Sequence, residues 1–257
     1  MNPYRVEGPA TISFSGGRTS GFMLSKIVEA HGGELPKDVI AAFQNTGLEH
    51  PKTYEFVEEL GKRVCPVTWL EFRRENDQST FAVVTPETAS RNGEPFEALI
   101  RTGNYLPNPV VRKCTVELKI RTLRRYLKSL GWQEWTNCIG LRADEPRRVA
   151  RMKGDNSDES VSMPIAEAGH TLVDVRAFWR SQPFDLMLPN DDAAFGNCTL
   201  CFLKSKARLQ RVLRAEPQNA DWWIRMEALA LALASKPSGA VFRSDRPSYA
   251  AMLQIAK

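Results

Sequence analysis

Short apolar runs alternate with stretches of helical period along the first half of the chain. Pro9-Ala10-Thr11-Ile12 is β-prone, and Gly21 to Val28 beyond it carries Phe22, Met23, Leu24, Ile27 and Val28 at helical spacing. Val39 to Phe43 reads as a second buried strand. A helix then opens on Pro51 at its first position, shows Tyr54, Val57 and Leu60 on one face and stops at Gly61. Val67 to Phe72 is a third strand and Trp135 to Leu141 a fourth. Strands separated by helices at this spacing predict an α/β fold, a parallel sheet with crossover helices. Ligands of such sheets sit beyond the carboxyl ends of the strands.

Arg73 to Lys113 breaks the rhythm. Pro86, Gly93, Pro95, Gly103, Pro107 and Pro109 punctuate it, and one helix is expected near Glu94–Arg101. A long insertion in a compact domain commonly covers a ligand or guides a substrate. Val116, Ile120, Leu123, Leu127 and Leu130 then recur at steps of four and three. They predict an amphipathic helix closed by Gly131, with Lys119, Arg121, Arg124, Arg125 and Lys128 on its other faces. Lys153 to Ser160 reads as a polar loop, Thr171 to Asp174 as a helix cap, and Ala220 to Ala234 as a helix with Trp222, Trp223, Met226 and Leu229 in the core. The expected division is a nucleotide-binding α/β core over residues 1–150, with 73–113 as its insertion, and a mainly helical region over 151–257.

Composition sharpens this only in part. The 257 residues are 42% apolar and 25% charged, ordinary for a globular protein. Met1 to Gly8 has no apolar signal-peptide core, and the longest apolar run, Ala228 to Ala234, is too short to span a bilayer. A cytoplasmic protein without a membrane partner is expected. Net charge is +5, unevenly placed: Arg101 to Arg151 holds twelve Lys/Arg against four Asp/Glu, and Gly196 to Arg214 five basic residues and no acidic one. Such clustering suits a polyanionic partner or a phosphate-rich site; a solvated helix face is the plainer reading.

Candidate chemistry concentrates in four places. Ser13-Phe14-Ser15-Gly16-Gly17-Arg18-Thr19-Ser20 lies where a strand turns into a helix. There free N–H groups and the helix dipole favour an anion, glycines allow close approach, and Ser15, Thr19, Ser20 and Arg18 add donors. It matches neither the Walker nor the dinucleotide glycine pattern. Asn45-Thr46-Gly47-Leu48-Glu49-His50 follows the second strand. Gly140-Leu141-Arg142-Ala143-Asp144-Glu145 ends the fourth, where Arg142 can clamp a phosphate and Asp144 or Glu145 can hold a metal ion. Cys198-Thr199-Leu200-Cys201 is a Cys-x-x-Cys read here at a helix start, where the dipole would lower thiol pKa values; zinc, iron–sulfur and redox dithiol chemistry all use such a pair. Cys65 and Cys138 read as core residues. His31, His50 and His170 stand apart, and only His50 lies in a candidate loop.

The Ser15-Gly16-Gly17-x-x-Ser20 loop resembles the pyrophosphate loop of the PP-loop ATP pyrophosphatases and the sulfonucleotide (PAPS/APS) reductases, with Thr19 where many such loops have Asp. Asn45-Thr46-Gly47 resembles the Asp-Thr-Gly segment of those reductases, and the Gly140-x-Arg142-x-Asp144-Glu145 turn is similar to one in PAPS-reductase-like proteins. The APS-reductase branch also carries a cysteine pair some eighty residues before a Cys-x-x-Cys. Here Cys198 follows Cys114 by 84 residues, with Thr115 in place of the second cysteine. The resemblance covers Ile12 to about Leu213. It implies nucleotide binding by Ser13, Ser15, Gly16, Gly17, Arg18, Thr19, Ser20, Asn45, Thr46, Gly47 and Gly140, and catalytic roles for Arg18, Arg142, Asp144 and Glu145 with ATP and Mg2+.

Cys114, Cys198 and Cys201 would then hold a 4Fe–4S cluster with one open iron, as in iron–sulfur PP-loop thiolation enzymes; zinc with a fourth ligand is the alternative. The reductases carry a redox cysteine in a C-terminal tail, and Phe242 to Lys257 has none. The implied activity is therefore an ATP-dependent sulfurtransferase. It would adenylate a substrate oxygen, release pyrophosphate and replace AMP with sulfur from a cysteine desulfurase, on tRNA or on DNA as phosphorothioation. A homodimer is allowed for. A sulfonucleotide reductase and a non-catalytic nucleotide-sensing or nucleic-acid-binding module are the alternatives.

Overall fold

The computed structural model describes residues 2–103, 105–152, 159–233 and 240–256. The chain forms two compact units, neither of them contiguous. The first comprises Met1–Gln44, Pro51–Leu70 and Arg125–Met187; the second comprises Asn45–His50, Glu71–Arg124 and Leu188–Lys257. No single cut near residue 150 separates them.

The first unit is built on the expected sheet. Strand β1 (Ala10–Ser13) leads into helix α1 (Arg18–Ala30), β2 (Val39–Asn45) into α2 (Pro51–Arg63), and β3 (Val67–Glu75) follows. Strand β1 lies between β2 and β5 (Trp135–Ile139), parallel to both, with Ile12 opposite Ala41 and Cys138. Burial explains the apolar runs: Ile12, Phe14, Ala42, Leu70 and Cys138 are fully enclosed. Phe14, Phe43, Phe56, Trp179 and Phe184 form a chain of ring contacts over the sheet. Trp179 lies on α7 (Leu172–Ser181), which the expected Thr171–Asp174 capping box opens.

Two strands escaped the pattern. Strand β3 runs past Phe72 to Glu75, turns through Asn76 and Asp77, and continues as β4 (Gln78–Val84). Both turn residues take positive φ (46° and 60°), which Asn and Asp tolerate. On the far side, β6 (Glu159–Ser162) pairs parallel to β5 where a polar loop was expected; the rest of that loop, 153–158, is outside the described residues. Strand β6 is an edge strand, so it carries polar pairs instead of an apolar face: Asn137 Nδ2 donates to Glu159 (2.6 Å), and Thr136 meets Ser160 (2.9 Å). The strand order is β4-β3-β2-β1-β5-β6.

The second unit is mainly helical. Besides β4 it has α3 (Glu94–Gly103), α8 (Lys206–Ala215), α9 (Ala220–Leu233) and α10 (Tyr249–Ala256). Its core is aromatic: Phe96, Phe202, Trp222, Trp223, Phe242 and Tyr249 touch one another and are buried, so the tryptophan pair is core as expected.

The basic helix departs from its predicted face. Thr115–Arg121 is a π-helix, and an α-helix, α4 (Thr122–Ser129), continues it. The wider turn adds a residue per repeat and rotates the pattern, so counting by 3.6 fails there. Val116 and Ile120 are 38% and 46% exposed, while Glu117 and Leu118 are buried. Leu123 and Leu127 in α4 are buried as predicted, and Gly131 ends the helix at φ +87°. No helix among the described residues is long and apolar enough to cross a membrane.

Candidate nucleotide loop and cysteine centre

The first candidate site lies wholly in the first unit. Strands β1 and β5 are neighbours and parallel, so the loop after Ser13 and the turn after Ile139 emerge side by side. Gly17 caps α1 without any side-chain hydrogen bond, and no acidic residue stands in the first turn. A helix start of this kind has the chemistry to accept an anion. The loop is shaped by its own hydroxyls: Ser15 N–H donates to Ser20 Oγ (3.1 Å), the two serine hydroxyls meet at 3.0 Å, and Ser20 Oγ donates to the Gly17 carbonyl (3.0 Å). Ser13 Oγ donates to Asn137 Oδ1 (2.8 Å). Gly16 has φ +75°, and a Cβ there would lie 2.6 Å from Thr53 Cγ2, so both conformation and space demand glycine.

Arg18 is engaged. Its Nε and Nη2 donate to the two Asp185 carboxylate oxygens (2.7 and 2.9 Å), and Nη2 also donates to the Leu186 carbonyl (2.8 Å). Arg142 Nη1 donates to Thr19 Oγ1 (3.3 Å), Nε to Asp144 (2.8 Å), and Glu145 lies 3.4 Å away. Glu145 is also paired with Arg148. Desolvation raises the Asp144 pKa, but the Arg142 hydrogen bond and charge outweigh it and hold the carboxyl below its ordinary value. A Cβ on Gly140 would lie 3.2 Å from Ser20 Cα. The structure thus brings Ser13 to Ser20, Gly140, Arg142, Asp144 and Glu145 to one corner of this unit.

Asn45, Thr46 and Gly47 belong to the second unit, with all three candidate metal ligands. Asn45 Oδ1 accepts from Gly47 N–H (2.9 Å), and its Nδ2 donates to buried Glu71 (2.6 Å) and to the Ser90 carbonyl (2.9 Å). Thr46 Oγ1 donates to Glu49 Oε1 (2.8 Å) and lies 3.3 Å from Cys198 Sγ. The Thr46 and Leu48 N–H groups donate to Glu49 Oε2, and Glu49 pairs through its backbone with Cys198. Lys119 on the π-helix connects the centre. Desolvation would lower its pKa, but Cys198, Glu49, Cys201 and Cys114, all within electrostatic reach, raise it overall.

The Cys-x-x-Cys does not stand at a helix start. Residues 198–204 form successive turns, and α8 begins only at Lys206 behind its Ser205 cap. The dipole argument therefore fails, and Cys198 moves the other way. Burial pushes Cys198 up to about 12, helped by Glu49 and opposed by Lys119. Burial and Cys201 push Cys114 to about 11, again opposed by Lys119. Lys204 shapes these turns: its ammonium is directed to the carbonyls of Ala194 (2.6 Å), Gly196 (2.8 Å), Cys198 (2.8 Å) and Thr199 (2.7 Å). Arg246 donates to the carbonyls of Phe202 and Lys204, within electrostatic reach of Cys201. Among the described residues no three His, Cys, Asp or Glu side chains are placed to hold a single metal ion. Cys65 and Cys138 are buried core thiols, pushed up to about 12 chiefly by desolvation.

Residues 9–173 match the model of the phosphoadenosine phosphosulfate reductase domain. The chain belongs to this family. A relative in Escherichia phage lambda, the uncharacterized nin region protein ORF290, is 33% identical over 215 residues, covering 77% of this chain and 67% of its own. The crystal structure of phosphoadenylyl-sulfate (PAPS) reductase from Candida auris in a phosphate complex aligns with 70% of this chain and 79% of its own, at 14% identity and a TM-score of 0.42. The loop and the turn, both inside the matched PAPS reductase domain, were singled out from the sequence, whereas Asp185, beyond it and 167 residues from Arg18, was missed. Glu49 stood inside a motif already singled out. Lys119 was read only as one of the basic residues on the other faces of that helix, because the π-helix was not foreseen.

Proposed function

We propose that this PAPS-reductase-family protein is an ATP-dependent sulfurtransferase acting on nucleic acid. The observation that carries the reading is the gathering of Cys114, Cys198 and Cys201 around Lys119, in a chain that also has an uncapped phosphate-type loop. The candidate ligands are thiols, with the Glu49 carboxylate beside Cys198 (4.0 Å), and Lys119, Lys204 and Arg246 lie within electrostatic reach of them, which suits an anionic iron–sulfur cluster. Zinc on the same thiols with a fourth ligand is the alternative. When bound, such a cluster supplies a thiophilic iron able to hold sulfide.

The residues of the chain do the rest. Ser15, Ser20 and the N–H groups at the start of α1 bind the triphosphate, and Arg18 and Arg142 stabilise charge growing on it. Asp144 and Glu145 offer the hard oxygens that Mg2+ takes. A substrate oxygen attacks the α-phosphorus, and the bond to the bridging oxygen breaks as pyrophosphate leaves. A dithiol reductant cleaves the persulfide that a cysteine desulfurase supplies, leaving a disulfide; the hydrosulfide so released attacks the activated centre and gives up its proton, and AMP departs with the substrate oxygen. Exposed Arg112, Arg121, Arg147, Arg148, Lys206, Arg208 and Arg214 supply charge suited to a phosphate backbone.

The test is anaerobically purified protein given ATP and either tRNA or duplex DNA, with pyrophosphate release and nucleoside mass spectrometry as readouts. Pyrophosphate with a sulfur-bearing nucleotide is expected; its absence with both nucleic acids sinks the reading. The family match favours a second reading, a sulfonucleotide reductase, for which sulfite release from PAPS or APS with thioredoxin is the corresponding assay.

A further inference from the structure

The segment Asp185–Leu186 is fastened to the first residue of α1. Arg18 gives Nε and Nη2 to the Asp185 carboxylate and Nη2 also to the Leu186 carbonyl, at 2.7, 2.9 and 2.8 Å. Leu186 N–H in turn donates to Asp185 Oδ1 (2.6 Å), and Trp179 Nε1 donates to the Arg18 carbonyl (2.8 Å). Arg18 and Asp185 are both about a quarter exposed, so the pair lies within reach of a ligand entering from solvent. Its forked edge, the one arginine presents to phosphate or carboxylate, is occupied.

We propose that Asp185 is a counter-ion that Arg18 exchanges for phosphate, so that nucleotide binding unlatches the Asp185–Leu186 segment. This rests on the loop's being the nucleotide site. A carboxylate and a phosphate compete for the same planar fork, and a triphosphate carries the greater charge. Once Arg18 turns to the phosphates, Asp185 loses two donors and Leu186 loses the partner of its carbonyl. Leu186 leads directly into residues 188–201, which carry the Cys-x-x-Cys.

Calorimetric titration of ATP into the full chain tests this, with Asp185→Asn, Arg18→Ala and the double variant. The Asn side chain keeps an acceptor for Leu186 N–H while giving up the charge. Asp185→Asn should tighten ATP binding by about 5-fold, on the order of 1 kcal/mol. The gain should vanish in the Arg18→Ala background, the coupling that a merely structural role for Asp185 would not produce. In the unaltered protein, ATP should speed hydrogen exchange at the Leu186 amide. Unchanged or weaker ATP binding by Asp185→Asn, or an equal gain without Arg18, overturns the latch and leaves the nucleotide site standing. Absence of ATP binding by every variant overturns both. Should Asp185→Asn not fold, exchange at Leu186 that ATP leaves unchanged or slows overturns the latch by itself.

Discussion

The two candidate centres handle charge in opposite ways. At the loop of the first unit every basic side chain faces an acidic one: Arg18 meets Asp185, and Arg142 meets Asp144 and Glu145. In the second unit Lys119, Lys204 and Arg246 lie within electrostatic reach of the cysteines, of which Cys114 and Cys198 are held largely protonated by burial, with the Glu49 carboxylate beside Cys198. The first is a balanced site, ready to exchange one anion for another. The second holds positive charge in reserve, which suits a group that brings its own negative charge.

The sharpest way to break this contrast is to remove a thiol. Cys198→Ser should lower sulfur transfer by at least about 100-fold, roughly 2.7 kcal/mol in barrier terms. Iron and sulfide content should fall with it, while ATP affinity at the first unit stays as it was. Loss of ATP binding in that variant would show that the two centres are not separable. Next in size is Lys204→Met, which strands four carbonyls around an apolar side chain. A loss of about 2–4 kcal/mol in stability is expected, with faster alkylation of Cys198 and Cys201; urea denaturation and timed labelling measure both.

Gly16→Ala probes the first unit alone. Its positive φ and the 2.6 Å approach to Thr53 predict a cost of about 1–3 kcal/mol and weaker nucleotide binding, while cysteine labelling in the second unit is unaltered. The smallest effect concerns the first unit's own thiols. Cys65 and Cys138 sit at about 12 in the folded chain against an ordinary value of 9. Above pH 9 the unfolded chain releases protons that the folded one keeps. Their contribution to stability is therefore full below pH 9 and declines as pH rises towards 12. Between pH 9 and 10 the loss should be on the order of 1 kcal/mol, and Cys138→Ala should flatten it.

Elements set by local patterning were legible in the sequence. Apolar runs marked β1, β2, β3 and β5, Pro51 marked the start of α2, and Thr171 with Asp174 marked that of α7. Edge strand β6 stayed hidden because Val161 is its one apolar residue. The π-helix inverted a face for the same kind of reason: Val116 and Ile120 satisfy a 3.6-residue count that the backbone there does not follow. At the loop, glycines and hydroxyls announced themselves through their position between strand and helix. Asp185 did not, because an ion pair across 167 residues leaves no trace in spacing. The Cys-x-x-Cys was visible as a motif, but its thiol chemistry was misjudged; Ser205, a good cap directly before Lys206, was the signal that the helix starts later.

The interleaving of the two units bears on how the chain is made. Its path passes from one unit to the other after residues 44, 50, 70, 124 and 187. On the ribosome the first unit therefore cannot close until Met187 has emerged, well after its glycine loop has. The second unit waits for α10, whose Tyr249 hydroxyl donates to the Leu200 carbonyl between the two cysteines of the motif (2.6 Å). A chain cut short before residue 187 thus completes neither centre, and one cut short before α10 leaves the second without this contact.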